Sequence, residues 1–407
     1  MKKYLLATAA LAAFAFFTTP RSAEAGTLGP IVSSEMDTPD KANAVFYLGL
    51  SSNLYELLDK ASGWAVEAAT GVPGGPLVGA KTGAEAHVNT VYGRNEVHYL
   101  TAVNGSLHVE QLYSDTFFAQ DLTVIGSGVA AAPGSNVAGY IDSIEGSDNV
   151  FYLGADQHVH LLTWMPAPGW SEDKTLDGTP STVAALGSPI SGHMTNQSDE
   201  IFYLGSNHHV YEVWRWSQNF DGWHPIDVTW ANGVKPVAGG HSPLAGFYDG
   251  VSGNDAIYYI GANHHVYELL FTAPAVWKSV DLTAASGAPN AVNGSTLAAH
   301  LNTIPGSEEV FFLDVNDTIN ILWSWSSPQK FDGWHTYNVS RSAACAPAAA
   351  VGSPLSADVN TIDDTDDVYY VAADSNVHEL RYDEIKGGWT ALDVNHQTTP
   401  VAPKAVR

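Results

Sequence analysis

Four glutamates share one setting in this chain: Glu56 in LYEL, Glu212 in VYEV, Glu268 in VYEL and Glu379 in VHEL. A carboxylate accepts hydrogen bonds from two adjacent hydroxyls, which is what a sugar edge offers. The competing reading is a solvated strand residue between apolar neighbours. Two other occurrences of the motif carry Leu161 and Ile321 in this slot, and Glu110 lies near it but out of phase by one residue. Tryptophans accompany the glutamates. Trp214 and Trp216 follow Glu212, and Trp323 and Trp325 fill the same run elsewhere; Trp64, Trp170, Trp223, Trp277, Trp334 and Trp389 open a later run. An indole gives a pyranose a flat apolar face and a polar edge, and it can equally wedge between packed sheets. The second role suits the later set better; for Trp214 and Trp216 both stay open.

Histidines are the other candidate donors. His158 and His160, His208 and His209, and His264 and His265 sit at a turn. Adjacent strand residues point to opposite faces, so a His-His pair is a poor chelate by itself, and exposed turn residues are the expectation. Asp314 to Asp317 and Asp363 to Asp367 are acidic but lack the spacing of a calcium loop. The sequence has no G-x-S-x-G, H-E-x-x-H, P-loop or dinucleotide fingerprint, and no cofactor is implied. The notable polar groups recur, which fits several similar binding sites better than one active site.

The elements that carry these residues repeat. Ile201 to Thr229 and Ile257 to Thr283 are one unit written twice: an IFYLG-like run, a short turn, an HHVYE run, then a Trp leading into D-x-T. Alternating apolar and polar residues mark each run as a half-buried strand. The aromatic of the first run recurs at Tyr47, Tyr99, Tyr152, Tyr203, Tyr259, Phe312 and Tyr370, at intervals of 51 to 58 residues. A further strand precedes each, clearest as SPISGHMT, SPLAGFYD and SPLSADVN, and EAHVNT from Glu85 matches AHLNT from Ala299. Seven copies of four short strands without helical periodicity predict an all-β, seven-bladed β-propeller of four-stranded antiparallel blades. The small SPLAG-type strand suits the crowded centre and D-x-T the rim. The second copy is irregular, with an extra turn residue at Val103 to Ser106 and Phe117 in place of Trp. The first strand either stands in its own blade or is lent to close another.

Residues 1–25 read as an export signal: Lys2 and Lys3, an apolar stretch from Tyr4 to Thr18, and Ala23-Glu24-Ala25 before Gly26. The propeller is then expected over 26–397, with a Pro-rich tail at 398–407 that frays. No later run is long enough to span a bilayer. The formal charge is -26, and -28 once residues 1–25 are removed. Neither nucleic acid nor an anionic membrane is expected as a partner, since both need clustered Lys and Arg. Cys345 is the single cysteine, so no intramolecular disulfide forms. Packing must supply stability, from 45% hydrophobic residues.

The E-then-W unit resembles the fungal fucose-specific lectin family and, in architecture, the bacterial seven-bladed propeller lectins. Ile257-Tyr258-Tyr259 and Val266-Tyr267-Glu268 match that family's first two runs; Phe220-Asp221-Gly222-Trp223 and Phe331-Asp332-Gly333-Trp334 echo its W-D-G segment. The resemblance implies that Glu56, Glu212, Glu268 and Glu379 grip sugar hydroxyls while Trp214, Trp216, Trp223, Trp277, Trp334 or Trp389 stacks on the ring. The family's sugar-binding Arg has no counterpart: its slot holds Ala44, Glu96, Asn149, Glu200, Ala256, Glu309 and Asp367. The expectation is a secreted, non-catalytic glycan-binding protein with repeated shallow sites. The rivals are a polysaccharide-acting enzyme with one channel site and a protein-interaction scaffold.

Overall fold

The computed structural model describes residues 32–37, 42–70, 84–113, 118–173, 176, 183–217, 222–231, 237–240, 242–250, 252–272, 276–326, 331–344 and 346–406. The expected export signal, Phe117 and Cys345 lie outside them. Among the described residues, 28 strands form seven sheets of four consecutive antiparallel strands each. The first strands of neighbouring blades adjoin all the way round, blade seven against blade one. The chain is a seven-bladed propeller. Val32–Asp37 pairs with Ala42–Leu48 of its own blade, so the first strand is not lent elsewhere.

The second strands depart from the half-buried expectation. In blades one, three, four, six and seven every residue of that strand is buried. A blade has a neighbour on each side, so both faces of its middle strands are core. The repeat-marking aromatics, Tyr47 to Tyr370, are all fully buried. One contact type recurs between blades. In every blade but the second, the outer indole stands edge-on to a ring on the second strand of the preceding blade. The pairs are Trp64 on Tyr369, Trp170 on His98, Trp223 on Phe151, Trp277 on Phe202, Trp334 on Tyr258 and Trp389 on Phe311. Their centroids are 5.8 to 6.5 Å apart and the planes cross at 72° to 86°. Edge-to-face geometry adds about 0.5–1.5 kcal/mol per pair to the burial itself.

Repeated small polar residues close the strand ends. The Ser of each S-P or S-x motif takes the last N–H of the second strand: Leu204 N to Ser188 Oγ is 2.8 Å, Ile260 N to Ser242 Oγ 2.7 Å, Val371 N to Ser353 Oγ 2.9 Å. The D-x-T run is not wholly strand. Its Asp ends the fourth strand and caps a one-turn helix, Asp281 Oδ1 accepting from Ala284 N at 2.9 Å. Its Thr bonds back to the third strand, Val266 N to Thr283 Oγ1 at 2.9 Å. Five such helices occur among the described residues, each too short for a 3.6-residue pattern to show in sequence. The YLG glycine is required where the chain doubles back, because a Cβ on Gly49 or Gly205 would strike the ring of Tyr55 or Tyr211.

The C-terminal tail does not fray. Val406 N reaches Leu48 O at 2.8 Å, Leu50 N reaches Lys404 O at 3.0 Å, and Ala405 N reaches Ser375 O at 2.8 Å. Tyr47 donates to Pro403 O at 2.7 Å, and Ala402 and Ala405 are buried between blades seven and one. The proline spacing leaves the alternate N–H groups free to bond both blades. At about 1 kcal/mol per net hydrogen bond, removing residues 402–407 is expected to lower Tm by about 5 °C or more; calorimetry of the truncated chain checks this.

Candidate functional site

Blades four and five enclose a cleft of about 580 Å³, within the size range of small-molecule sites. Trp214 and Trp216 lie two apart on Val210–Trp216, so both face the same side. Their centroids are 5.1 Å apart at 79°, and Trp214 lies over His224 at 4.6 Å. Trp216 is 40% exposed. Blade five supplies the opposite wall with Tyr248, Phe271 and Trp277. The floor is acidic: Glu200, Glu212 and Asp255 line it, and each is at least nine-tenths buried.

Burial holds these carboxyls protonated beyond the ordinary range. It raises Glu200 well above its usual value, reinforced by the charge of Asp255. Asp255 is pushed up to about 7, again chiefly by burial. Glu212 rises for the same reason, with the Glu200 charge adding to it, while a hydrogen bond from Trp277 opposes the rise.

The register places the other predicted glutamates in other interfaces. Glu56, Glu212, Glu268 and Glu379 each pair with the first ring of the preceding strand: Phe46, Phe202, Tyr258 and Tyr369. All four are buried rather than solvated. Glu212 alone shares a described cavity with predicted tryptophans: Trp214, Trp216 and Trp277. Glu379 is committed within the fold, accepting from Tyr369 Oη at 2.9 Å and from Arg381 Nη2 at 2.8 Å. Glu268 stands beside Tyr258 and Glu308. In copy two the register gives the slot to Gln111, opposite His98, which confirms that Glu110 is out of phase. Trp223 is covered by Arg215, 4.9 Å above its ring, and Trp334 and Trp389 are buried wedges. The slot aligned with the family's Arg is structurally one position: Glu96, Glu200 and Glu309 stand opposite Tyr113, Trp214 and Trp323.

The paired turn histidines have local partners. His208 and His264 are exposed at φ 64° and 66°, the left-handed turn position also taken by Ser52, Gln157, Asp317 and Ser375. His209 and His265 bond the helix-capping Asp227 and Asp281 at 2.7 and 2.8 Å. Asp314 is likewise a turn residue, accepting from Asn316 N at 2.9 Å and Thr318 N at 3.1 Å.

Sequence reasoning missed a different histidine set. His87, His193 and His300 stand on the first strands of blades two, four and six. Each meets a Glu of its own blade and an Asp of the next: Glu96 and Asp148, Glu200 and Asp255, Glu309 and Asp366. The match between EAHVNT and AHLNT was the available signal. The cleft aromatics recur at the same interfaces. Blades six and seven repeat the Trp323 and Trp325 pair at 5.1 Å, with His335 under Trp323 at 4.5 Å. Blades two and three form a smaller, 250 Å³ version in which Tyr113 and Trp164 stand for Trp214 and Phe271.

Glu268 gives a pH dependence. Burial, then the Glu308 charge, pushes its carboxyl up to about 8, above the unfolded value of 4.5. Its stabilising contribution is therefore full at low pH and is lost as pH rises through that range. One pK unit is worth about 1.4 kcal/mol. Glu268→Gln, a permanently neutral mimic, is expected to raise Tm by several degrees at pH 8.5 and leave it nearly unchanged at pH 5, measured by thermal denaturation across pH.

Neither a protein-family model nor a characterised protein sequence matches this chain. Solved structures do. The BP39L lectin from Burkholderia pseudomallei superposes with a TM-score of 0.69 over 94% of this chain and 99% of its own, at 13% identity. AofleA from Arthrobotrys oligospora gives 0.53 over 90% and 87%, at 13% identity. The SapL1 lectin, in complex with alpha methyl fucoside, gives 0.51 over 75% and 96%, at 16% identity. The structural neighbours of this chain are thus β-propeller lectins, which share its fold at low identity.

Proposed function

We propose that this is an exported, non-catalytic carbohydrate-binding protein whose principal site is the cleft between blades four and five. The observation that carries the reading is the half-exposed Trp214 and Trp216 pair standing over the buried carboxyl floor. Indole faces stack on the C–H face of a pyranose, and floor oxygens meet its hydroxyls. The shared fold of the lectins supports it. Export rests on the charged, apolar and small-residue pattern of residues 1–25. No helix among the described residues is long and apolar enough to cross a membrane.

Glu200 and Asp255 touch each other. Glycosidase carboxylates instead straddle a bond about 5 Å or more apart, so this floor supports binding better than hydrolysis. A formal charge of -26 favours neutral sugars over anionic ones. The related cleft at blades two/three and the matching Trp323 and Trp325 pair of blade six would add avidity to a weak single site.

A glycan array probed with the mature chain is expected to show neutral glycans bound and sialylated ones not. Trp216→Ala should weaken binding roughly tenfold or more with Tm almost unchanged. Trp334→Ala, by contrast, removes a buried wedge and should cost about 3–5 kcal/mol of stability while the blade-four cleft keeps its ligand. A blank array, or binding indifferent to Trp216→Ala and Glu212→Gln, overturns the reading.

A further inference from the structure

The histidine and carboxylate clusters are built into the ring, and their histidines have no part in the proposed sugar contacts. At the interface of blades six and seven, His300 Nε2 lies 3.0 Å from Asp366 Oδ1 and 3.9 Å from Glu309 Oε2. All three atoms are cut off from solvent, and outside the cluster itself none has a hydrogen-bond partner. Asp366 is 1% and Glu309 6% exposed. Orphaned buried acceptors are costly. One imidazole nitrogen and two carboxylate oxygens that converge in this way are placed like ligands around a common centre. Tetrahedral ligands at 2.0–2.1 Å from a zinc ion lie about 3.3 Å apart, and these donors all fall within 4.8 Å of one another.

The interface of blades four and five repeats the set. His193 Nε2 is 2.6 Å from Asp255 Oδ1, and Glu200 Oε2 and Asp255 Oδ2 are buried with no partner outside the carboxyl pair. Here the carboxylates open onto the cleft floor, which gives an ion a path in. At blades two and three the same residue types are already satisfied. Glu85 sits 3.0 Å from His87 Nδ1, and Gln111 donates to Glu96 Oε2 at 2.8 Å.

We propose that His300, Glu309 and Asp366, and likewise His193, Glu200 and Asp255, each bind a first-row transition-metal dication of the zinc class. One imidazole nitrogen with two carboxylates suits such an ion better than the all-oxygen shells of calcium or magnesium. The ion joins adjacent blades and neutralises their buried carboxylates. The third cluster, internally paired, takes none.

The test uses the mature chain stripped with EDTA and titrated with zinc, followed by calorimetry, metal analysis after desalting and thermal denaturation. Two zinc ions per chain are expected, with a rise in Tm, and calcium at the same concentration should produce neither. His193→Ala and His300→Ala should each remove one ion. Glu200→Gln and Glu309→Gln keep side-chain shape and should do the same if the histidine variants fail to fold. No zinc retained would overturn the proposal, leaving each Glu and Asp to share a proton. So would zinc that survives these changes and disappears when the exposed His208 and His264 are replaced. Metal content is read without sugar, so it stands or falls apart from the glycan assay.

Discussion

Blade-on-blade packing is what this molecule rests on, and its unit is an indole edge set against a neighbour's ring. Six interfaces use it, each time with the tryptophan of one blade and the second strand of the blade before. A single blade has a bare apolar face on each side and no core of its own. Each edge contact is worth little more than thermal energy. Burial of both faces of every second strand is what multiplies it into a fold, and only a closed ring leaves no face uncovered. The C-terminal tail completes the ring where chain connectivity cannot, by bonding the turns of the first and last blades together.

This constraint sorts the tryptophans. Residues that open the fourth strand are consumed by packing, as the buried Trp334 and Trp389 show. Residues at the end of the third strand lie beyond the reach of the neighbouring blade, so Trp214 and Trp216 remain partly free. The glutamates are sorted in the same way. All four predicted ones point between blades, but Arg381 occupies Glu379 and the cleft opens only above Glu212. Whether a buried carboxyl is a tie or a site depends on what the next blade brings to it.

The architecture was legible in the sequence because a propeller writes its period into the chain: one buried aromatic per blade, a serine before the inner strand of blades three to seven, and D-x-T or a close variant at the rim of most blades. Three features were not. Burial of both faces of the second strand depends on neighbours that alternation within a strand does not encode. The single helical turn after each Asp is shorter than any helical pattern. The tail reads as loose because proline normally breaks pairing, yet its remaining N–H groups found partners on two blades. The clusters escaped for a different reason. His300, Glu309 and Asp366 lie on three strands of two blades, so no spacing rule joins them. The register of the sheets, which puts His300 opposite Glu309, is what makes them neighbours.

The clusters fall at every second interface, which makes blades two to seven three successive pairs. Seven is odd, and an alternating pattern cannot run round an odd ring without a fault. Somewhere two interfaces of the wrong kind must meet. Blade one is that place: Glu35 stands where the paired blades carry His, Ala44 replaces Glu, and Asn95 of blade two replaces Asp. The first blade is thus the odd member that lets a chain of pairs become a circle, and parity confines the exception to the neighbourhood of the seam.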